Sequence, residues 1–161
     1  MNCRWIIAFI VLLIAKPVLA QMNDAQLTVW VNEAIVSTYT YNYSNVINRQ
    51  KEIAKYFTAS GWIAYNKALE TSQLLNSVKK NKYAVSAVAT MPPEIQKIGA
   101  DEWKASMPLI VVYKNATYQQ KQILKVIVNF STASSGQGIR GLAITSFVSQ
   151  SSEPPCSCTT P

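Results

Sequence analysis

Three apolar segments, Met107 to Tyr113, Ile123 to Phe130 and Leu142 to Val148, constrain the fold more than any other feature of the chain. Each is seven or eight residues long, draws heavily on Val, Ile, Thr, Tyr and Phe, and is bounded by polar or glycine-bearing links. That is the length and composition of a strand rather than a helix. In the middle segment Leu124, Val126, Val128 and Phe130 fall on one face, while Ile123 and Ile127 share the other with Lys125 and Asn129. A sheet of such strands has one dry face and one wet face, and its dry face needs a cover of helices.

The residues upstream supply that cover. Asn23 or Asp24 caps a helix whose apolar positions Leu27, Trp30, Val31, Ala34, Ile35 and Thr38 follow the i, i+3, i+4 rule, and which ends near Tyr39. A second helix, Val46 to Phe57, turns Val46, Ile53, Tyr56 and Phe57 inward. Thr58 caps a third, with Trp62, Tyr65, Ala68, Leu69 and Ser72 in one stripe. The stripe runs on through Leu74, Leu75 and Val78, as a bent extension or as a separate short helix. Between the first two helices Tyr39, Tyr41 and Tyr43 alternate with Thr40 and Asn42 and break the helical period. Two readings stand here: an exposed tyrosine row that binds a partner, or a connection in which at least two of the three tyrosines plug the core.

Tyr83 to Thr90 reads as a first strand, stopped by Met91-Pro92-Pro93. Glu94 to Ile98 reads as a short edge strand, turned by Gly99-Ala100-Asp101 into a long strand that begins near Trp103. Pro108 lacks an N–H, so it belongs at a sheet edge, at a bulge, or with its nitrogen pointing away from the ladder. Asn115 to Gln120 and Ser134 to Gly138 read as hairpin connections. The expected fold is α+β over residues 21–150: about three helices on an antiparallel sheet of four to five strands.

The ends read differently. Met1 to Arg4 is a short positive region, Trp5 to Ala15 an unbroken apolar run of eleven residues, and Val18-Leu19-Ala20 a small-residue site ahead of Gln21. This is the outline of a secretory signal peptide over 1–20. The run is well short of the roughly twenty residues needed to span a bilayer. An uncleaved short anchor, with Lys16 snorkelling, is the alternative, and membrane association is expected only in that case. Residues 151–161 are polar and proline-bearing and are expected to be a disordered tail. Cys156 and Cys158 within it fit a local disulfide or a bond to another chain better than redox or metal chemistry.

Composition closes off several functions. With 161 residues, 49% hydrophobic and 14% charged, the chain is one folded domain. It contains no histidine, which removes the commonest metal ligand and general base, so no metal, cofactor or catalytic residue is expected. Setting aside Arg4 and Lys16 lowers the net charge from +7 to +5, and the longest basic cluster is Lys79, Lys80 and Lys82, so no nucleic-acid partner is expected. Enzymes and small-molecule binders can be built in a pocket between helices and sheet. Glu33, Glu52 and Glu70 are the helical carboxylates for such chemistry; Glu52 and Glu70 fall on wet faces, which leaves Glu33, or Asp101 outside the helices.

The segment Tyr56-Phe57-Thr58-Ala59-Ser60-Gly61-Trp62-Ile63-Ala64-Tyr65-Asn66-Lys67-Ala68-Leu69 carries an aromatic-Phe-Thr, Gly-Trp, aromatic, Ala-Leu pattern. Tyr39 to Tyr43, Val85-Ser86-Ala87-Val88, Trp103 with Met107-Pro108 and Tyr113, and Gly138-Ile139 with Ala143-Ile144 and Phe147-Val148 complete it in order. From Ala25 to about Ser149 the chain thereby resembles the DotI/IcmL family of bacterial type IV secretion and conjugation components. The resemblance implies a cystatin-like, nuclear-transport-factor-like fold. It also implies a periplasmic, non-enzymatic role, in contact with copies of itself or with other subunits of an envelope-spanning machine. Core members of the family have a cytoplasmic segment and a full transmembrane helix before this domain. Only four residues precede the apolar run here, so the expectation is a soluble periplasmic paralogue or accessory subunit, or else a domain anchored in the inner membrane. An interface would use the tyrosine connection (Tyr39, Tyr41, Tyr43), the edge strand with Glu94, Gln96 and Ile98, and the wet sheet face with Lys125 and Asn129.

Overall fold

Asn23 opens the first helix with a reciprocal cap: its side chain accepts from Gln26 N–H at 2.8 Å, and the Gln26 side chain accepts from Asn23 N–H at 3.2 Å. The computed structural model describes residues 23–134, 136–152 and 156–159, the last four by backbone alone. The expected signal segment lies outside them, as do the remaining residues of the tail. Helix α1 (Asp24–Thr38) buries the six residues that its period selects. Trp30, at its centre, packs tilted against Phe130 at 5.2 Å and donates its indole N–H to Ile139 O at 2.8 Å, so its one polar atom is satisfied inside the core.

The chain then forms β1 (Tyr41–Asn42), α2 (Val46–Ala54), α3 (Ala59–Ser72) and α4 (Leu74–Lys80). Two expectations need correction here. The tyrosine connection contains a strand, because Tyr41 and Asn42 pair with Val85 and Ala84. And α2 stops at Ala54 rather than Phe57. After three i−3 bonds from Lys55, Tyr56 and Phe57, Tyr56 O accepts from Ile144 N–H at 2.7 Å and Thr58 N–H donates to Ile144 O at 2.9 Å. Backbone groups that would continue the helix are spent on a strand of the sheet instead. Thr58 caps α3 by accepting from Gly61 N–H at 3.1 Å. Gln73, with φ of 55°, separates α3 from α4, so the continuation is a separate helix.

Seven strand segments make one antiparallel sheet: β1, β2 (Ala84–Ala89), β3 (Glu94–Lys97), β4 (Glu102–Lys114), β5 (Tyr118–Thr132), β6 (Leu142–Ser151) and β7 (Cys156–Thr159). The order is β1-β2-β4-β5-β6, and two of the lanes are interrupted. Along one edge of β4, β2 pairs with Leu109–Lys114 and β3 with Trp103–Ser106; the gap between them holds Met91-Pro92-Pro93. Along the far edge of β5, β6 covers Leu124–Thr132 and β7 covers Tyr118–Lys121. The tail expected to be disordered is therefore paired over Cys156–Thr159. The sequence hid this because a four-residue run of Cys, Ser and Thr carries no alternating apolar pattern, and its pairing is set by backbone register to a distant strand.

Pro108 sits in central strand β4. Its carbonyl accepts from Thr90 N–H at 3.2 Å, and the N–H and C=O of one strand residue point to the same side. Its nitrogen therefore faces Thr90, at the end of the β2 ladder, and points away from β5, so the β4–β5 ladder loses no bond. The β4–β5 turn is shorter than expected: Asn115 Oδ1 accepts from Thr117 and Tyr118 N–H, and β5 starts at Tyr118 rather than after Gln120. Ala105, Met107, Leu109 and Val111 of β4 and Leu124, Val126, Val128 and Phe130 of β5 are buried beneath the helices. A bulge at Asn129/Phe130 opposite Thr145 switches the parity of β6, so that Leu142 and Ile144 face inward before it and Phe147 faces inward after it.

Candidate functional site

Strand pairing decides which side chains share the outer face of the sheet. One cross-strand row runs Gln96, Lys104, Asn129, Ser146, and the next Glu94, Ser106, Ile127, Val148. A third places Lys125 between Pro108 and Gln150, and a fourth aligns Val88, Ile110 and Ile123. Glu94, Gln96, Lys125 and Asn129, taken from two separate stretches of sequence, thus come together on one surface within three adjoining rows. Ile98, just past β3, is 49% exposed and tied through its N–H to Glu102 O at 2.9 Å.

This face is more apolar than a solvated one needs to be. Val88 is 65% exposed and Val148 46%, and Ile110, Val112, Ile123 and Ile127 are half-buried beside them. Lys104, Lys114, Lys121 and Lys125 project from it against Glu94 and Glu102, and among the described residues the ion pairs are Glu52–Lys55 and Glu33–Arg140, neither on this face. The face thus has an apolar centre bordered by lysines that make none of the ion pairs among the described residues. Beside it, β3 pairs only with β4 among the described residues, which leaves a short free edge.

The tyrosine row divides. Tyr43 is 47% exposed, whereas Tyr39 and Tyr41 are buried and cannot form an outward surface, so the core reading of the connection holds for those two. Together with Tyr65 of α3 and Tyr113 of β4 they line a cavity of about 530 Å³ between the helices and the concave end of the sheet. Burial raises the pKa of all four phenols; repulsion among them adds to this at Tyr41, Tyr65 and Tyr113, and a hydrogen bond from Ser149 partly opposes it at Tyr39.

The carboxylates considered for chemistry are elsewhere. Glu33 accepts from Tyr56 Oη at 2.9 Å and pairs with Arg140 at 2.7 Å on the surface, and neither it nor Asp101 lines the cavity. Among the described residues no group of three or more His, Cys, Asp or Glu could hold a metal ion. No described helix is long and apolar enough to cross a membrane. Cys156 and Cys158 sit in β7 opposite Lys121 and Gln119 in the backbone register.

The family model for the DotI/IcmL components, described as "Type-IV b secretion system, inner-membrane complex component", matches residues 9–151. An IcmL-like type IV secretion system protein from Legionella pneumophila is similar at 55% identity, with a TM-score of 0.81 over 85% of this chain and 99% of that one. The periplasmic domain of DotI is similar at 32% identity, with a TM-score of 0.76 over 81% and 96% of the two chains. A periplasmic fragment of TraM shares the fold at 14% identity, with a TM-score of 0.73 over 82% and 100%. A comparison with curated proteins gave no match.

Proposed function

From the premise that this chain belongs to the DotI/IcmL family of type IVb secretion-system components, we propose that it is a non-enzymatic periplasmic subunit which assembles with other secretion or conjugation proteins through the outer face of its sheet. The observation that carries the reading is the convergence of exposed Val88 and Val148 with Ile110, Ile123, Ile127 and Lys125 on one wide face that no described helix covers. Export by residues 1–20, with cleavage after Ala20, puts the domain in the periplasm in this reading; retention of that segment would instead tether it to the inner membrane. A structural subunit needs no acid or metal, and the positions of Glu33 and Asp101 outside the cavity agree with that.

The test is site-specific photo-cross-linking in intact bacterial envelopes, with the photoreactive residue at Ile127 or Lys125 and, as a contrast, at exposed Ile63 on α3. Secretion subunits trapped from the sheet positions and not from Ile63 are the expected result. A chain that is monomeric in the envelope and trapped by nothing from either face would overturn the proposal. N-terminal sequencing of the same sample reports whether the chain begins at Gln21.

A further inference from the structure

The tyrosine cavity is not needed by a subunit that acts through its outer face. Its walls come from distant parts of the chain: Tyr39 and Tyr41 before and within β1, Tyr65 on α3, Leu74 on α4, Tyr113 at the end of β4, Leu124 on β5 and Phe147 on β6. A filled core is the ordinary result when helices pack on a sheet. Here about 530 Å³ is left open, within the range of small-molecule sites.

The lining chemistry restricts what fits. Among the described residues that line the cavity none is charged, so an ionic ligand would lose its hydration with no counter-charge to meet it. The walls are Leu69, Leu74, Leu124 and Phe147 on the apolar side, with Tyr65 and Phe147 packed edge-on at 5.3 Å. The polar side is four phenols with Gln122 and Ser149. A phenol both donates and accepts, so Tyr39 keeps capacity for a ligand even while it bonds Ser149. We infer that this cavity binds an uncharged small molecule that presents hydrogen-bond-accepting oxygens on an apolar body, oriented by the hydroxyls of Tyr41, Tyr65 and Tyr113. The phenols stay protonated at every physiological pH because burial opposes their ionisation, so the donors are always present.

The probe for this site is 6-propionyl-2-dimethylaminonaphthalene, a neutral aromatic ketone whose emission responds to hydrogen bonding at its carbonyl, titrated into the purified full-length chain. The expected result is saturable binding of one probe per chain. Tyr65→Phe and Tyr113→Phe keep the rings and should each weaken it about three- to tenfold, the effect of one hydrogen bond. Ser72, exposed on the last turn of α3 at the cavity wall, allows Ser72→Trp to block the space without touching the core, and binding should then be lost. The anionic 8-anilinonaphthalene-1-sulfonate should bind at least tenfold more weakly than the ketone. Absence of saturable ketone binding, binding that survives Ser72→Trp, or equal binding of the sulfonate would overturn the inference. Melting curves for each variant separate loss of the site from loss of the fold. The measurement uses purified protein, so its outcome is independent of whether envelope cross-links are found.

Discussion

Replacing Gly61 with Ala sets two physical effects against each other. Gly61 lies in the first turn of α3, where an exchange for Ala should stabilise a free helix by up to about 1 kcal/mol. In this fold a Cβ at that position would lie 2.5 Å from Ile144 O and 3.1 Å from Thr145 O, both backbone atoms of β6. The nearer contact is about 1 Å shorter than an ordinary carbon–oxygen approach of roughly 3.4 Å, and backbone cannot rotate away as a side chain can. Either α3 lifts from β6 or the bulge at Thr145 moves. Both strain the Thr58 N–H to Ile144 O bond at 2.9 Å and the packing of Phe57 on Tyr65 at 4.9 Å. Overpacking of this kind costs about 1–3 kcal/mol, and weakening one backbone bond adds about 1. Net of the helix gain, Gly61→Ala should destabilise the domain by about 1–3 kcal/mol and lower its Tm by about 4–12 °C. Urea unfolding followed by tryptophan fluorescence, with thermal melts by circular dichroism, measures it. An unchanged or more stable variant would refute the close-approach argument, since propensity alone predicts that sign.

Three further outcomes follow from the same contacts. Thr58→Ala removes the cap on Gly61 N–H and should lower stability by about 1 kcal/mol, measured by the same urea curves. The raised pKa values of Tyr39, Tyr41, Tyr65 and Tyr113 make alkaline stability fall. Below pH about 10 these phenols are protonated in both states and their contribution is fully present. Above it the unfolded chain ionises first, and stability drops towards the folded values by about 1.4 kcal/mol per pH unit for each phenol. Melts between pH 8 and pH 11 should show that slope, reduced in Tyr65→Phe. Arg140→Ala breaks the Glu33 pair at a largely exposed position and should change stability by no more than about 1 kcal/mol, without shifting the core aromatic signals in near-ultraviolet circular dichroism.

Periodicity made much of this legible. The six inward residues of α1, the inward faces of β4 and β5, the edge strand at Glu94 and the separation of wet and dry faces follow from patterns of 3.6 and 2 residues that a dry core imposes. What stayed hidden was decided by backbone bonds between distant segments. The two-residue strand at Tyr41, the early end of α2 and the pairing of Cys156–Thr159 leave no hydrophobic signature, because their partners, Val85, Ile144 and Gln119, lie 44, 88 and about 39 residues away. For the candidate interface, the sequence showed Glu94, Gln96, Lys125 and Asn129 as isolated polar residues; only the register places them in neighbouring rows. The cavity had no signal either. Tyr65 and Tyr113 read as core residues and Tyr39 and Tyr41 as either core plugs or an exposed row, and nothing in their spacing says that the space between the four stays open.

The residues that carry the family resemblance have a specific task in this fold. Tyr56 and Thr58 zip onto Ile144, Gly61 lets α3 come into contact with β6, and Phe57, Trp62 and Tyr65 pack with one another at 4.9–5.6 Å. Each of these contacts serves to fix the helices against the concave face at the point where the bulge reverses the parity of β6. The same bulge turns Val148 to the outer face, in line with Ile127 and Ser106. Helix docking and the apolar strip on the opposite side are therefore set by one irregularity in the sheet. If Thr145 were kept and took a paired place in the ladder, Phe147 would flip outward and Val148 inward, which would loosen α3 and erase part of the proposed interface together. Deleting Thr145 is the direct experiment: it removes the unpaired residue and leaves Ile144 opposite Phe130 and Ser146 opposite Asn129, so Phe147 stays inward and Val148 outward; retained folding together with retained cross-links from Ile127 is the expected pair, and loss of both would show that parity alone does not set the two faces.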